Sequence, residues 1–209
     1  MSVTGGWIDP FEAWARGRWW APRALLVAGF AWLAGSLAID PARSTVFDAI
    51  DLAIHEAGHL LLRPGGETLH TLGGTLLQLL VPVVAAVLLA RRPDWFGAAF
   101  CGVWLGVNLY DVARYIADAR AQSLPLVTVG GGEARHDWSF LLGQLGWLRS
   151  DRTIAGLVRA LAFLVIWSST AAGAALAYLI WRSGRRTKTA PATSPPRPTR
   201  GSRSRAGRT

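Results

Sequence analysis

The sequence predicts an all-α fold: a polytopic membrane helix bundle of four spans plus a re-entrant or fifth helix, followed by a disordered basic C-terminal tail. Three observations lead there. Of the 209 residues, 51% are hydrophobic and only 17% are charged, which is too apolar and too charge-poor for an ordinary soluble domain. Uncharged apolar runs near bilayer length recur along the chain and are separated by clusters of Arg, Pro and Gly. Eleven Trp, several flanking those runs (Trp19, Trp20, Trp95, Trp147, Trp181), match the enrichment of indoles where hydrocarbon meets headgroups.

Residues 1–23 mix polar and aromatic side chains and read as a juxtamembrane segment. No compact basic region and cleavage site frame the next run, so no cleaved signal peptide is expected. The membrane domain then covers 24–181. Its first span is 24–39, a little short of the ~20 residues a bilayer requires and extended by Trp19 and Trp20. Ser44 or Thr45 caps a new helix, with Asp48 completing a capping-box pattern, and 47–62 carries His55-Glu56-Ala57-Gly58-His59 before Arg63-Pro64-Gly65-Gly66 ends it. The second span, 72–90, opens on Gly73-Gly74, which permits close helix approach, and stops at Arg91-Arg92-Pro93. A third span covers 96–116. The stretch 118–151 is too polar to cross and reads as a folded loop, with Gly130-Gly131-Gly132 as a flexible turn. The last span, 154–180, is longer than a straight crossing, so a tilt or a protruding end is expected.

The net charge of +9 is concentrated after Trp181, where 182–209 holds nine basic residues and no acid. Rich in Pro, Ser, Thr and Gly, this tail buries no core and reads as disordered. Its natural partner is the anionic headgroup layer of the bilayer. Nucleic acid has little support, because no folded basic face accompanies the tail. Basic residues mark the cytoplasmic side. Placing the tail, Arg91-Arg92 and Arg16, Arg18 and Arg23 there requires four full crossings, which makes the 47–62 helix re-entrant. A full crossing by that helix gives five spans and puts the N-terminal arginines outside. The single Cys101 excludes an intrachain disulfide and a cysteine metal cluster, and reads as a small core hydrophobe.

His55 and His59 are four residues apart, so on a helix they stand one above the other and both reach a single metal ion. Glu56 stands beside them and is placed to take a proton from an attacking water and return it to a leaving amine, the chemistry of peptide-bond hydrolysis assisted by Zn2+. With four His and four Glu in the chain, chance gives this pattern roughly once in a thousand such sequences. Its apolar surroundings, Ala53, Ile54 and Leu60 to Leu62, make unpartnered polar groups costly. The plain alternative is a pair of hydrogen-bonded structural histidines.

Two histidines need at least one further protein ligand. Asp111, near the end of the third span, is the first candidate, with an ion pair to Arg114 as its plain reading. His136 and Asp137 are alternatives, and His70 is a third. Asp51, one turn before His55, suits either a helix start or a carboxylate orienting that ligand. Asn108 and Gln78 suit the site or simple interhelical hydrogen bonds.

The chain resembles the site-2-protease-like intramembrane zinc metalloproteases in His55-Glu56-Ala57-Gly58-His59 on an apolar helix, the Gly73-Gly74 to Pro82 segment, and Asn108-Leu109-Tyr110-Asp111. More closely still it resembles a bacterial membrane group bearing the same motif. The resemblance implies His55, His59 and Asp111 as zinc ligands, Glu56 as catalytic base, a membrane-associated protein as substrate, and a place in the bacterial inner membrane with a cytoplasmic C-terminus. The chain departs from the family where Asp111 is followed by Val112 instead of Gly. A different outcome, a non-proteolytic membrane protein with a structural or regulatory metal site and a lipid- or partner-binding tail, predicts four protein ligands closing the site where hydrolysis predicts three and an open position.

Overall fold

The computed structural model describes residues 9–125 and 135–189. A short helix α1 (Asp9–Ala15) precedes α2 (Trp20–Ile39), α3 (Asp48–Leu62), α4 (Glu67–Arg91), α5 (Trp95–Ala117), the eight-residue α6 (Asp137–Gln144) and α7 (Asp151–Thr189). Among the described residues every regular element is helical. Four helices, α2, α4, α5 and α7, are long and apolar enough to cross a membrane, the architecture of an integral membrane protein.

The helix starts follow local chemistry. The Asp94 carboxylate accepts from Gly97 N at the start of α5, and the His136 ring accepts from Ser139 N at the start of α6. Before α3 the capping box forms in part. Thr45 donates to the Asp48 carboxylate from both its backbone N–H and its hydroxyl.

Helix α5 packs between α4 and α7, and α2 lies on α7 with its aromatic side chains reaching α5. Phe30, Ala34 and Leu37 of α2 pack with Phe96, Ala99, Val103 and Val107 of α5 and with Ala162 and Ile166 of α7. The α5–α7 contact is close because Gly106 faces Ile166, where an added Cβ would come within 2.6 Å. Leu25, Leu61, Leu80, Leu157 and Leu164 are exposed on the outside, as lipid-facing residues are where tails replace water.

At one end of the bundle α1 meets α5 and α7. Ser183 Oγ of α7 donates to Ala15 O of α1 at 3.2 Å, and the Phe11 ring meets Trp95 at 5.3 Å. These contacts hold α1 against the end of α7 and the start of α5, so Arg16, Arg18, Arg91, Arg92, Arg182 and Arg185 share that end. From there α2 runs alongside α5 in the same direction: Arg23 lies over the Phe96 ring, and Phe30 meets Phe96 and Phe100. Residues 40–47 then fold back, with Arg43 over Trp32 and Phe47 against Phe100 and Trp104. Helix α3 therefore starts beside the middle of α5 and runs antiparallel to α4.

Two expected boundaries move. Helix α7 continues through Thr189, eight residues past the expected start of the tail, because the first proline after the span is Pro191. At ~58 Å it exceeds the hydrocarbon core, and its protruding end is the part that meets α1. The polar loop 118–151 contains α6 and the tight helical turn Leu148–Ser150. Residues 1–8, the Gly130 to Gly132 turn and the tail from 190 lie outside the described residues.

Candidate metal centre

Helices α3 and α4 cross on glycine. A Cβ on Gly58 would lie 2.2 Å from Gly73 O, and one on Gly73 would lie 2.4 Å from Gly58 O, so only this pair lets the two backbones touch. The crossing brings His59 and His70 together, and each ring Nδ1 lies 2.8 Å from the other residue's backbone carbonyl. One turn along α3, the His55 ring fills the space left by Gly74, and its Nδ1 lies 2.9 Å from Gln78 Oε1.

The third member comes from 82 residues away. Asp137, at the start of α6, places Oδ2 3.0 Å from His55 Nε2 and 3.2 Å from His59 Nε2. The donor atoms of His55, His59 and Asp137 all lie within 4.8 Å of one another. Their side chains are only 11%, 15% and 10% exposed.

The hydrogen bonds settle what these atoms can do. A carbonyl oxygen only accepts, so His59 must donate from Nδ1 to His70 O and His55 from Nδ1 to Gln78 Oε1. Each neutral imidazole is then left with its lone pair on Nε2, and both lone pairs face the same carboxylate oxygen. Three acceptors without a donor repel one another. Either an extra proton or a cation must sit among them. Zinc bonds of ~2.0–2.1 Å at tetrahedral angles hold donors about 3.3 Å apart, close to the two histidine–aspartate spacings of 3.0 and 3.2 Å, so the group could hold a metal ion.

Tyr115 and His136 place Asp137. Tyr115 Oη accepts from Asp137 N at 3.1 Å, and the His136 ring packs on the Tyr115 ring at 4.2 Å between centroids. His136 Nε2 is buried 3.4 Å from Asp118 Oδ2, an electrostatic contact whose direction makes it no hydrogen bond. Burial holds the His136 pKa below the ordinary imidazole value, with Asp118 and Asp137 only partly offsetting it. Burial alone would raise the Asp137 carboxyl, but when the extra proton sits on the Nε2 atoms of His55 and His59 their hydrogen bonds to Asp137 outweigh burial and hold the pKa below the usual carboxylate range. Farther out, Arg135 pairs with Glu67 and Thr68 donates to Gln144 at 3.3 Å, tying this segment to the start of α4.

Several expected site residues lie elsewhere. Asp111 stands outside the donor group, and its Oδ2 accepts from Gln78 Nε2 at 2.9 Å. No ion pair joins it to Arg114 among the described residues. Asp51 does not reach His55. It is buried and accepts from Trp104 Nε1 at 2.7 Å. His136 stands behind Asp137, and His70 supports His59 through its backbone. Glu56 is half-buried beside His55, and its charge acts on the His59 ring and on Tyr115. Sequence reasoning missed Tyr115 and the packing role of Gly74. No motif marks the tyrosine, while the Gly73-Gly74 pair signalled a close approach without saying to what.

Compared with known proteins, the chain matches no family model, no curated protein and no solved structure.

Proposed function

We propose that this chain is a membrane-embedded zinc metallopeptidase, similar to the site-2-protease-like enzymes, that hydrolyses peptide bonds of a membrane-associated protein. The observation that carries this reading is the convergence of His55 Nε2, His59 Nε2 and Asp137 Oδ2, with both imidazole tautomers set by carbonyl acceptors. In this assignment Asp137 takes the place that the sequence offered first to Asp111.

Three protein donors among the described residues, and not four, suit a hydrolytic site with an open position better than a closed structural one. Zinc held there supplies Lewis acidity to a substrate carbonyl and to water. Glu56, next to His55 on the same helix, accepts the proton of the attacking water and delivers it to the leaving amine. Apolar walls from α3 and α4 limit bulk water and strengthen these electrostatic effects.

The placement of the helices supports the four-crossing topology. With the C-terminal end of α7, which leads into the basic tail, cytoplasmic, α2, α4, α5 and α7 each cross once. Helix α3 starts beside the middle of α5 and is then re-entrant, which puts the metal centre nearer the opposite face. The basic tail beyond α7 meets anionic headgroups on the cytoplasmic side.

The test compares the purified wild type with Glu56→Gln for bound zinc and for cleavage of membrane-associated polypeptides. Retained zinc with cleavage reduced by roughly 10²- to 10⁴-fold supports the base role. Unchanged cleavage removes it, and a wild type that binds no zinc overturns the reading.

A further inference from the structure

We infer that Asp111 is a positioning residue which, through Gln78, fixes the tautomer of His55. This rests on the metal centre proposed above and assigns Asp111 a part in it without contact to the metal.

A glutamine amide reads the same way round or flipped, and its orientation follows from what its two ends face. One end of Gln78 faces the Asp111 carboxylate at 2.9 Å, and the other faces His55 Nδ1 at 2.9 Å. An ionised carboxylate only accepts. Gln78 must therefore turn its NH2 to Asp111 and its Oε1 to His55, which requires a proton on His55 Nδ1 and leaves the lone pair on Nε2. Without Asp111 the amide is free to flip. A flipped amide donates to Nδ1, moves the imidazole proton to Nε2 and blocks the atom that faces Asp137. Gln78 is 2% exposed, so little water is present to hold its orientation instead.

His59 needs no such device, since the acceptor on its Nδ1 is the backbone carbonyl of His70, which cannot flip. The two ligands are thus held differently, one by the main chain and one by a three-residue relay through α4 and α5. This asymmetry makes the inference testable.

The experiment is histidine-selective 15N NMR on the metal-free protein, at a pH above the ordinary imidazole range, beside a zinc-competition titration. Only four histidines contribute, and His55→Gln assigns the signal. In the wild type Nδ1 is expected to be protonated at both His55 and His59, with the extra proton of the metal-free site shared among their Nε2 atoms and Asp137. In Asp111→Ala a population lacking the Nδ1 proton is expected at His55 alone, with zinc affinity lowered roughly ten- to a hundred-fold. Asp111→Asn, whose amide presents either an acceptor or a donor to Gln78, should give a tautomer mixture and a zinc affinity between those of the wild type and Asp111→Ala. If Asp111→Ala does not fold, Asp111→Leu suits an apolar helix and removes the same acceptor. His55 without a proton on Nδ1 in the wild type, or an unchanged Nδ1 in the variant, overturns the relay. The tautomer is read without metal, so a wild type that fails to bind zinc defeats the peptidase reading and not this one.

Discussion

Replacing Gly74 by alanine puts the metal centre under a measurable strain. The added Cβ would lie 2.4 Å from His55 Nε2, 2.6 Å from Cδ2 and 2.7 Å from Cε1. Ordinary contact begins at 3.4 Å, so the ring must retreat by about 1 Å. It has little freedom, because Gln78 holds Nδ1 and the Gly58–Gly73 crossing holds the backbone of α3. Parting α3 from α4 instead would break both His59–His70 hydrogen bonds. A metal donor tolerates a displacement of only ~0.2 Å, and a 1 Å error in a site costs on the order of 10²-fold. Zinc affinity is therefore expected to fall about 10- to 100-fold, equivalent to roughly 1.4–2.8 kcal/mol. The assay is chelator competition on the purified protein, with Gly29→Ala as control, since a Cβ at Gly29 meets nothing within 4 Å. A Gly74→Ala protein that binds zinc as tightly as the Gly29→Ala control would refute the placement of His55 against α4.

Other expectations use different parts of the site. Asp137→Ala should abolish zinc binding more completely than Asp111→Ala, which metal analysis of the two purified variants would show; the reverse order would return Asp111 to the ligand set. Tyr115→Phe removes the acceptor for Asp137 N and should cost about 0.5–1.5 kcal/mol of hydrogen bonding, read as a several-fold loss of zinc affinity with the helical content intact. The histidine ligands bind metal only as neutral rings, so zinc affinity should weaken as pH falls, followed with a zinc-sensitive dye. Burial works against ionisation of Asp118, but the Ser123 and Leu124 N–H groups outweigh it and hold the carboxyl below its ordinary value. Its contribution is therefore present above the unfolded pKa of about 3.9 and lost as pH falls below it. Asp118→Asn should lower thermal stability at neutral pH, with the difference from wild type shrinking on acidification.

The parts legible in the sequence are those set by neighbours along the chain. Apolar runs of bilayer length became α2, α4, α5 and α7, and the four-residue spacing of His55 and His59 placed both rings on one face of α3. Boundaries were less legible: Arg182 to Thr189 lost its reading as tail because composition does not register a helix that persists until the first proline.

The third donor was decided by tertiary structure. In the sequence Asp111, near the end of the third span, ranked ahead of Asp137, in the polar loop 118–151. Asp111 faces Gln78 across the α4–α5 contact, whereas Tyr115, one turn farther along α5, receives the backbone of Asp137 as the polar segment folds back over the site. The spacing of side chains within one helix follows from its pitch alone, so the sequence by itself determined which residues form half of the centre. A contact closed across 82 residues depends on the packing of every helix between, and only the assembled bundle determined which carboxylate completes it.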